Sequence, residues 1–228
     1  MFAALGARPP HLAHEALLVA AEGKLSKRLG AVGVAALQEA GLEPMALLSL
    51  LAHLGTSRPV EAVADLKALA ADFDFSHFGR APAHFDLHDV ELLNAKLLHQ
   101  LPYSAVRDRL PPPLTEEDWL IVRGNLSRLA EAADWVPILS GEIQPPAADE
   151  PSYLQQAADA AATLDWSDDP WLALTGSLKE RTGRKGKPLF LPLRRALTGR
   201  DSGPEMGPLV KRLGRERTTE RLRAAANG

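Results

Sequence analysis

Thr182-Gly183-Arg184-Lys185-Gly186-Lys187-Pro188-Leu189-Phe190-Leu191-Pro192-Leu193-Arg194-Arg195-Ala196-Leu197-Thr198-Gly199 is punctuated by glycines at both ends. Gly183 ends one helix, and Thr198-Gly199 closes a second, short one predicted over 192–197. Leu189, Phe190, Leu193 and Leu197 form an apolar face, and Arg184, Lys185, Lys187 and Arg194 or Arg195 are left to face outward. Glycines let a backbone approach a partner closely, and lysine and arginine suit phosphate contacts. An arginine fork can also read a base edge in a splayed single-stranded loop. A solvated amphipathic helix pair is the bland alternative.

Outward from this stretch the helical signals continue. Pro204 and Gly214 bracket one more helix, and Arg215 to Ala226 forms the last. Upstream, Asp168-Asp169-Pro170-Trp171 opens a helix ending near Gly183, and Ser152 can cap Tyr153 to Leu164. Gly141 to Pro151 reads as a loop or boundary. Thr115-Glu116-Glu117-Asp118 is a capping-box-like start for a helix carrying Trp119, Val122, Leu126 and Leu129, limited by Pro137. Pro111-Pro112-Pro113 is a stiff linker. Asp86 caps a helix running to Leu101, Glu61 to Phe73 repeats apolar residues at helical spacing, and Pro44 starts a helix that Gly55 ends. Only the first thirty residues offer clear strand material, in Ala16-Leu17-Leu18-Val19-Ala20. No internal repeat is visible.

The composition is 46% hydrophobic and 24% charged, which suits a globular chain and excludes a disordered one. Cysteine is absent, so disulfides and thiolate metal sites are excluded, and a reducing cytoplasm fits. No apolar run approaches a membrane span, and the first residues, Met1 to Pro9, lack the basic region and apolar core expected of a signal peptide. The net charge of -3 hides a division. From Leu178 to Gly228 there are 14 Lys/Arg against 5 acids, a net +9, leaving 12 against 24 in the rest. A basic terminal block on an acidic chain suggests a surface for a polyanion.

A second basic stretch lies near the start, Glu22-Gly23-Lys24-Leu25-Ser26-Lys27-Arg28-Leu29-Gly30. It follows the apolar run and reads as a strand entering an exposed loop. Two ammonium groups and a guanidinium there could hold a polyphosphate, whose oxygens gather charge during displacement. A solvated basic loop is the plain reading.

Lys24-Leu25-Ser26-Lys27-Arg28 resembles the second signature of class I aminoacyl-tRNA synthetases, in its glutamyl-tRNA synthetase form. The stretch from Thr182 to Gly199 resembles the anticodon-binding region of the bacterial glutamyl-tRNA synthetases. Gly203-Pro204-Glu205-Met206 and Leu213-Gly214-Arg215-Glu216-Arg217 are similar to that family's closing segment. The resemblance runs from about Phe2 to the C-terminus. It implies that Lys27 binds ATP, brought with Mg2+, and that Lys24, Ser26 and Arg28 are its neighbours in the loop. It implies that Arg194 contacts anticodon bases and that Pro204 and Met206 line the same pocket. Lys185 and Lys187 are added on electrostatic grounds as RNA-backbone contacts.

The implied fold is mainly α. Residues 1–103 would be the end of the class I catalytic domain with a stem-contact fold of short strands and helices. Residues 104–150 and 151–228 would be two helical anticodon-binding subdomains, the second basic. The implied activity is glutamate–tRNA ligation through a glutamyl-adenylate, by a cytoplasmic monomer acting on a glutamate tRNA alone or on a glutamine tRNA as well. No His-x-Gly-His signature is present. The chain therefore looks like the C-terminal half and is expected to be catalytically incomplete alone. A free-standing, non-catalytic tRNA-binding module is the alternative, and a helical protein–protein adaptor a third. No zinc or other metal site is expected: His84 and His88, near Asp86 and Asp89, lack a third placed ligand and read as a surface cluster.

Overall fold

The structure, a computed structural model, describes residues 2–10, 12–14, 16–20, 23–24, 33–141, 143 and 150–227, with the backbone alone at 3, 20, 23 and 24. It is mainly helical and divides into two compact units, Met1–Gln100 and Leu101–Gly228.

The first unit holds a three-stranded sheet of β1 (Leu18–Ala20), β2 (Gly23–Lys24) and β3 (Ala83–His84), in the order β2-β1-β3. β1 runs antiparallel to β2 and parallel to β3, with Val19 opposite both Lys24 and His84. The strand material therefore extends beyond the first thirty residues. Among the described residues, the α-helices that follow β2 in the unit are α1 (Val34–Glu39), α2 (Pro44–His53), α3 (Leu66–Asp72) and α4 (Leu87–Gln100). Pro44 stands in the first turn of α2, where a missing N–H costs nothing. Asp86 starts α4 by accepting from the His88 N–H at 2.9 Å. α2 packs on α4, burying Ala46 and Leu50 with Val90, Leu93, Leu97 and Leu98. The helix predicted over Glu61–Phe73 is shorter. Buried Ser49 holds Val63 by donating to its carbonyl and accepting from its N–H, and Asp65 caps α3 through Ala68 N.

The second unit contains α5 (Tyr103–Val106), α6 (Glu116–Val122), α7 (Val136–Ser140), α8 (Pro151–Thr163), α9 (Pro170–Thr182), α10 (Lys187–Thr198) and α11 (Met206–Asn227). The capping box at Thr115 and Asp118 forms in both directions. The helix it opens stops at Val122, and residues 123–125 and 129–135 are 3-10 turns instead. Gly124 lies at the break, and Pro137 begins α7 rather than ending α6. Pro151 takes the first turn of α8, so Glu150 and not Ser152 precedes the helix. Asp169 caps α9 by accepting from Leu172 N at 2.9 Å. Gly183 and Gly199 end α9 and α10 in the left-handed region. Non-helical backbone at Gly214 interrupts α11.

α8 packs against α11, α9 and α10 around Tyr153, Leu174, Leu178, Leu193, Leu197, Leu209 and Leu222. Trp119 is fully buried beside them in sequence order on α6, and its indole donates to Leu101 O at 2.9 Å. No helix among the described residues is long and apolar enough to cross a membrane.

Candidate nucleic-acid interface

α10 starts five residues before Pro192, earlier than its sequence suggests. A proline at 192 cannot donate to the carbonyl four residues back, and it would leave Pro188 O unpaired. Arg184 Nη1 supplies that donor at 3.3 Å. The helix can therefore run through, with Leu189, Leu193, Ala196 and Leu197 facing the core. Phe190 does not join that face; it is 43% exposed, its ring 6.1 Å from that of Trp171.

The loop after α10 is tied down at several points. Thr198 Oγ1 accepts from Arg200 N at 3.1 Å and donates to Arg194 O at 2.7 Å. Arg195 forks onto the Asp201 carboxylate at 2.6 and 3.0 Å. That bond, with the positive charges of Arg195 and Lys187, holds the Asp201 carboxyl below the usual range. Arg194 Nη2 donates to Pro204 O at 3.0 Å. Its Nη1 is buried without a hydrogen-bond partner in the structure, and burial lowers its pKa.

The loop rests on Trp135, which is 4% exposed. Gly203 has φ 147, and a Cβ built there would lie 2.6 Å from Trp135 Cη2 and 3.5 Å from Arg194 Nη1. Only glycine permits both the conformation and the approach. On the ring itself lies Arg200, with its guanidinium carbon 4.6 Å from the Trp135 centroid. Arg200 Nη2 reaches Asp134 O at 3.4 Å and the Asp134 carboxylate at 3.7 Å. Arg200 and Gly203 thus meet one tryptophan, with Arg194 beside Gly203 and bonded to Pro204.

Much of the remaining positive charge in this unit does structural work. Arg212 lies 2.8 Å from the fully buried Asp118 carboxylate. Arg217 donates to Leu139 O, and Arg215 to Leu164 O. Arg221 donates to Leu197 O, Gly141 O and Pro137 O. Burial and neighbouring Arg217 push the Arg221 pKa down to about 10, leaving it charged at neutral pH. Arg184 pairs with Glu150 and lies 4.2 Å from the centre of the Tyr153 ring. Of the arginines expected to face outward, Arg184 and Arg194 are drawn partly in, whereas Arg195 stays at the surface on the exposed Asp201 carboxylate. Backbone carbonyls draw Arg217 and Arg221 inward, and the buried Asp118 carboxylate draws Arg212. Lys179, Arg181, Lys185, Lys187, Lys211 and Arg223 lie exposed.

Of the residues singled out in the sequence, Arg194 and Pro204 are brought together. Met206 is buried at the start of α11. Lys185 and Lys187 are exposed on and just after the turn between α9 and α10. Ser26, Lys27 and Arg28 lie outside the described residues, and Lys24 is described only as backbone in β2. His88 lies 3.9 Å from Glu91, and no cluster suited to a metal occurs among the described residues. Sequence reasoning missed Trp135, Arg200 and Gly203. Gly203-Pro204 was visible as a motif, but nothing local links it to a tryptophan 68 positions earlier.

Residues 121–226 match the anticodon binding domain family. The chain is 57% identical over 228 residues to Glutamate--tRNA ligase 2 of Sphingopyxis alaskensis, covering 99% of this chain and 52% of that protein. It is 56% identical over 228 residues to Glutamate--tRNA ligase 1 of Rhizorhabdus wittichii, covering 100% of this chain and 52% of that protein. The chain spans about half the length of the curated relatives it matches. Among solved structures, it superposes on a glutamate tRNA ligase from Elizabethkingia meningosepticum, crystallised in complex with its amino acid. The TM-score is 0.73 at 20% identity, over 99% of this chain and 53% of that one. The glutamate-tRNA synthetase of Elizabethkingia anophelis gives 0.69 at 21%, over 100% of this chain and 53% of that one. At those identities the likeness is one of fold.

Proposed function

We propose, from the premise that this chain is related over its whole length to about half of a glutamate–tRNA ligase, that it is the tRNA-recognising part of such an enzyme. The observation that carries this is the 57% identity across 99% of the chain. The anticodon-binding match over residues 121–226 supports assigning RNA recognition to the second unit. Within it, Arg194 would contact an anticodon base, with Pro204 O holding its Nη2. A fork fixed at one end loses little entropy when the other end binds. Lys185 and Lys187 would meet backbone phosphates, and Met206 would support the pocket from beneath. Residues 104–150 and 151–228 would act as two anticodon-binding subdomains, and 1–103 as the end of the catalytic and stem-contact region.

In the whole enzyme ATP is a substrate that arrives with Mg2+, and glutamate becomes a glutamyl-adenylate before transfer to tRNA. Lys27, flanked by Lys24, Ser26 and Arg28, would stabilise phosphate charge in that first step. The chain alone would lack the rest of the active site. The test is a titration of the purified 228-residue chain with a glutamate tRNA transcript at low salt, beside an ATP–pyrophosphate exchange assay with glutamate. Salt-sensitive binding that weakens in Arg194→Ala, with no exchange, is expected. Absence of tRNA binding at low salt overturns the assignment, and glutamate-dependent exchange overturns the claim of incompleteness.

A further inference from the structure

We infer that Arg200, laid on Trp135, is a shelf on which one unpaired nucleobase of the bound RNA stacks. The inference rests on the tRNA-binding reading and adds a contact by base face to the edge contact at Arg194. A guanidinium offers a ligand two things, an edge of N–H donors and a flat face. One nitrogen of the Arg200 edge, Nη2, is engaged, by the Asp134 carbonyl at 3.4 Å and the Asp134 carboxylate at 3.7 Å. A phosphate approaching that edge would meet the carboxylate, whose side chain is 64% exposed. One face is also taken, since Trp135 lies 4.6 Å away and is almost wholly buried beneath. Yet the Arg200 side chain is 40% exposed. With one face on the indole and Nη2 on Asp134, the second face, backed by an indole, is left for a ligand.

That arrangement suits a base, and the exposed Asp134 carboxylate beside it disfavours a phosphate. Splayed bases stack on guanidinium planes as they do on aromatic rings. The plane is held before binding by Asp134 and Trp135, and the backbone N–H of Arg200 is tied to Thr198, so little side-chain freedom is lost on association. Gly203 keeps the Trp135 edge within reach of Arg194, whose Nη1 lacks a partner. A base on the shelf would thus neighbour the base read by Arg194.

The test uses the full chain and an anticodon stem–loop of a glutamate tRNA carrying 2-aminopurine at one unpaired position at a time. Wild type, Arg200→Lys and Arg200→Ala are compared for affinity, for fluorescence and for melting temperature. Lysine keeps the charge beside Asp134 but has no plane, so a stacking role predicts that both variants lose roughly 10-fold in affinity. One loop position is expected to change fluorescence on binding to wild type and not to either variant, with melting unchanged in Arg200→Lys. If Arg200→Lys binds like wild type, the contact is one of charge and the shelf is refuted. Full affinity in both variants confines Arg200 to a structural part, which also refutes it. A wild-type chain that binds no stem–loop removes the tRNA reading itself.

Discussion

Gly203 shows how narrowly one residue can be specified. Its φ of 147 and the 2.6 Å separation from Trp135 Cη2 leave no room for a methyl group. Gly203→Ala should destabilise the chain by about 1–3 kcal/mol from backbone strain and displaced contacts, read as a lower urea midpoint. Arg221 is the converse, a buried cation donating to three carbonyls near the ends of α7 and α10. Arg221→Met should cost about 3 kcal/mol, because each carbonyl loses a charged donor away from water. Tyr153 carries the pH dependence. Burial pushes its hydroxyl up to about 12 from 10.0, with Arg184 opposing, and the hydroxyl donates to Leu189 O at 2.7 Å. The unfolded chain releases that proton first, so folding holds more protons between the two values. Stability should be unaffected by this group below about pH 10 and fall as pH rises toward about 12. Comparing urea midpoints of wild type and Tyr153→Phe across that range isolates its share. The residues of the site were only partly legible. Arg194 stood in a recognisable motif, but Trp135 and Arg200 meet through a fold that brings distant segments together.

At the scale of elements, legibility followed locality. Pro44, Asp86, Asp169, Gly183 and Gly199 act on their own or adjacent turns, and the boundaries they signal were found. The capping box at Thr115 is of the same kind, and Thr115→Ala should lower stability by about 1 kcal/mol, checked by chemical denaturation. Where a boundary depends on a distant partner, the local pattern misleads. Val63 has helical spacing, but Ser49, fourteen positions away, holds its backbone. β3 is two residues long and exists by pairing with β1. α10 passes through Pro192 because Arg184 supplies the donor that proline lacks. The Arg184 bond is local, but the Ser49–Val63 bonds and the β1–β3 pairing are not, and neither of those two has a sequence signature of its own.

For the whole molecule, the formal charge of the second half overstates what is available to a partner. Arg212, Arg217 and Arg221 neutralise or donate within the fold, and the exposed cations are mostly lysines and the arginines 181 and 223. RNA binding should therefore show a modest salt slope, with each phosphate neutralised adding about -0.7 to log K against log salt. Replacing both Lys185 and Lys187 with alanine should make that slope shallower while leaving preference between RNA sequences unchanged. Base preference would instead reside around Arg194. The central claim is that the second unit grips the anticodon end of a tRNA, and a footprint tests it most directly. Hydroxyl-radical cleavage of a glutamate tRNA transcript bound to the full chain should show protection in the anticodon loop, lost in Arg194→Ala. Protection elsewhere with an unprotected anticodon loop would contradict the account.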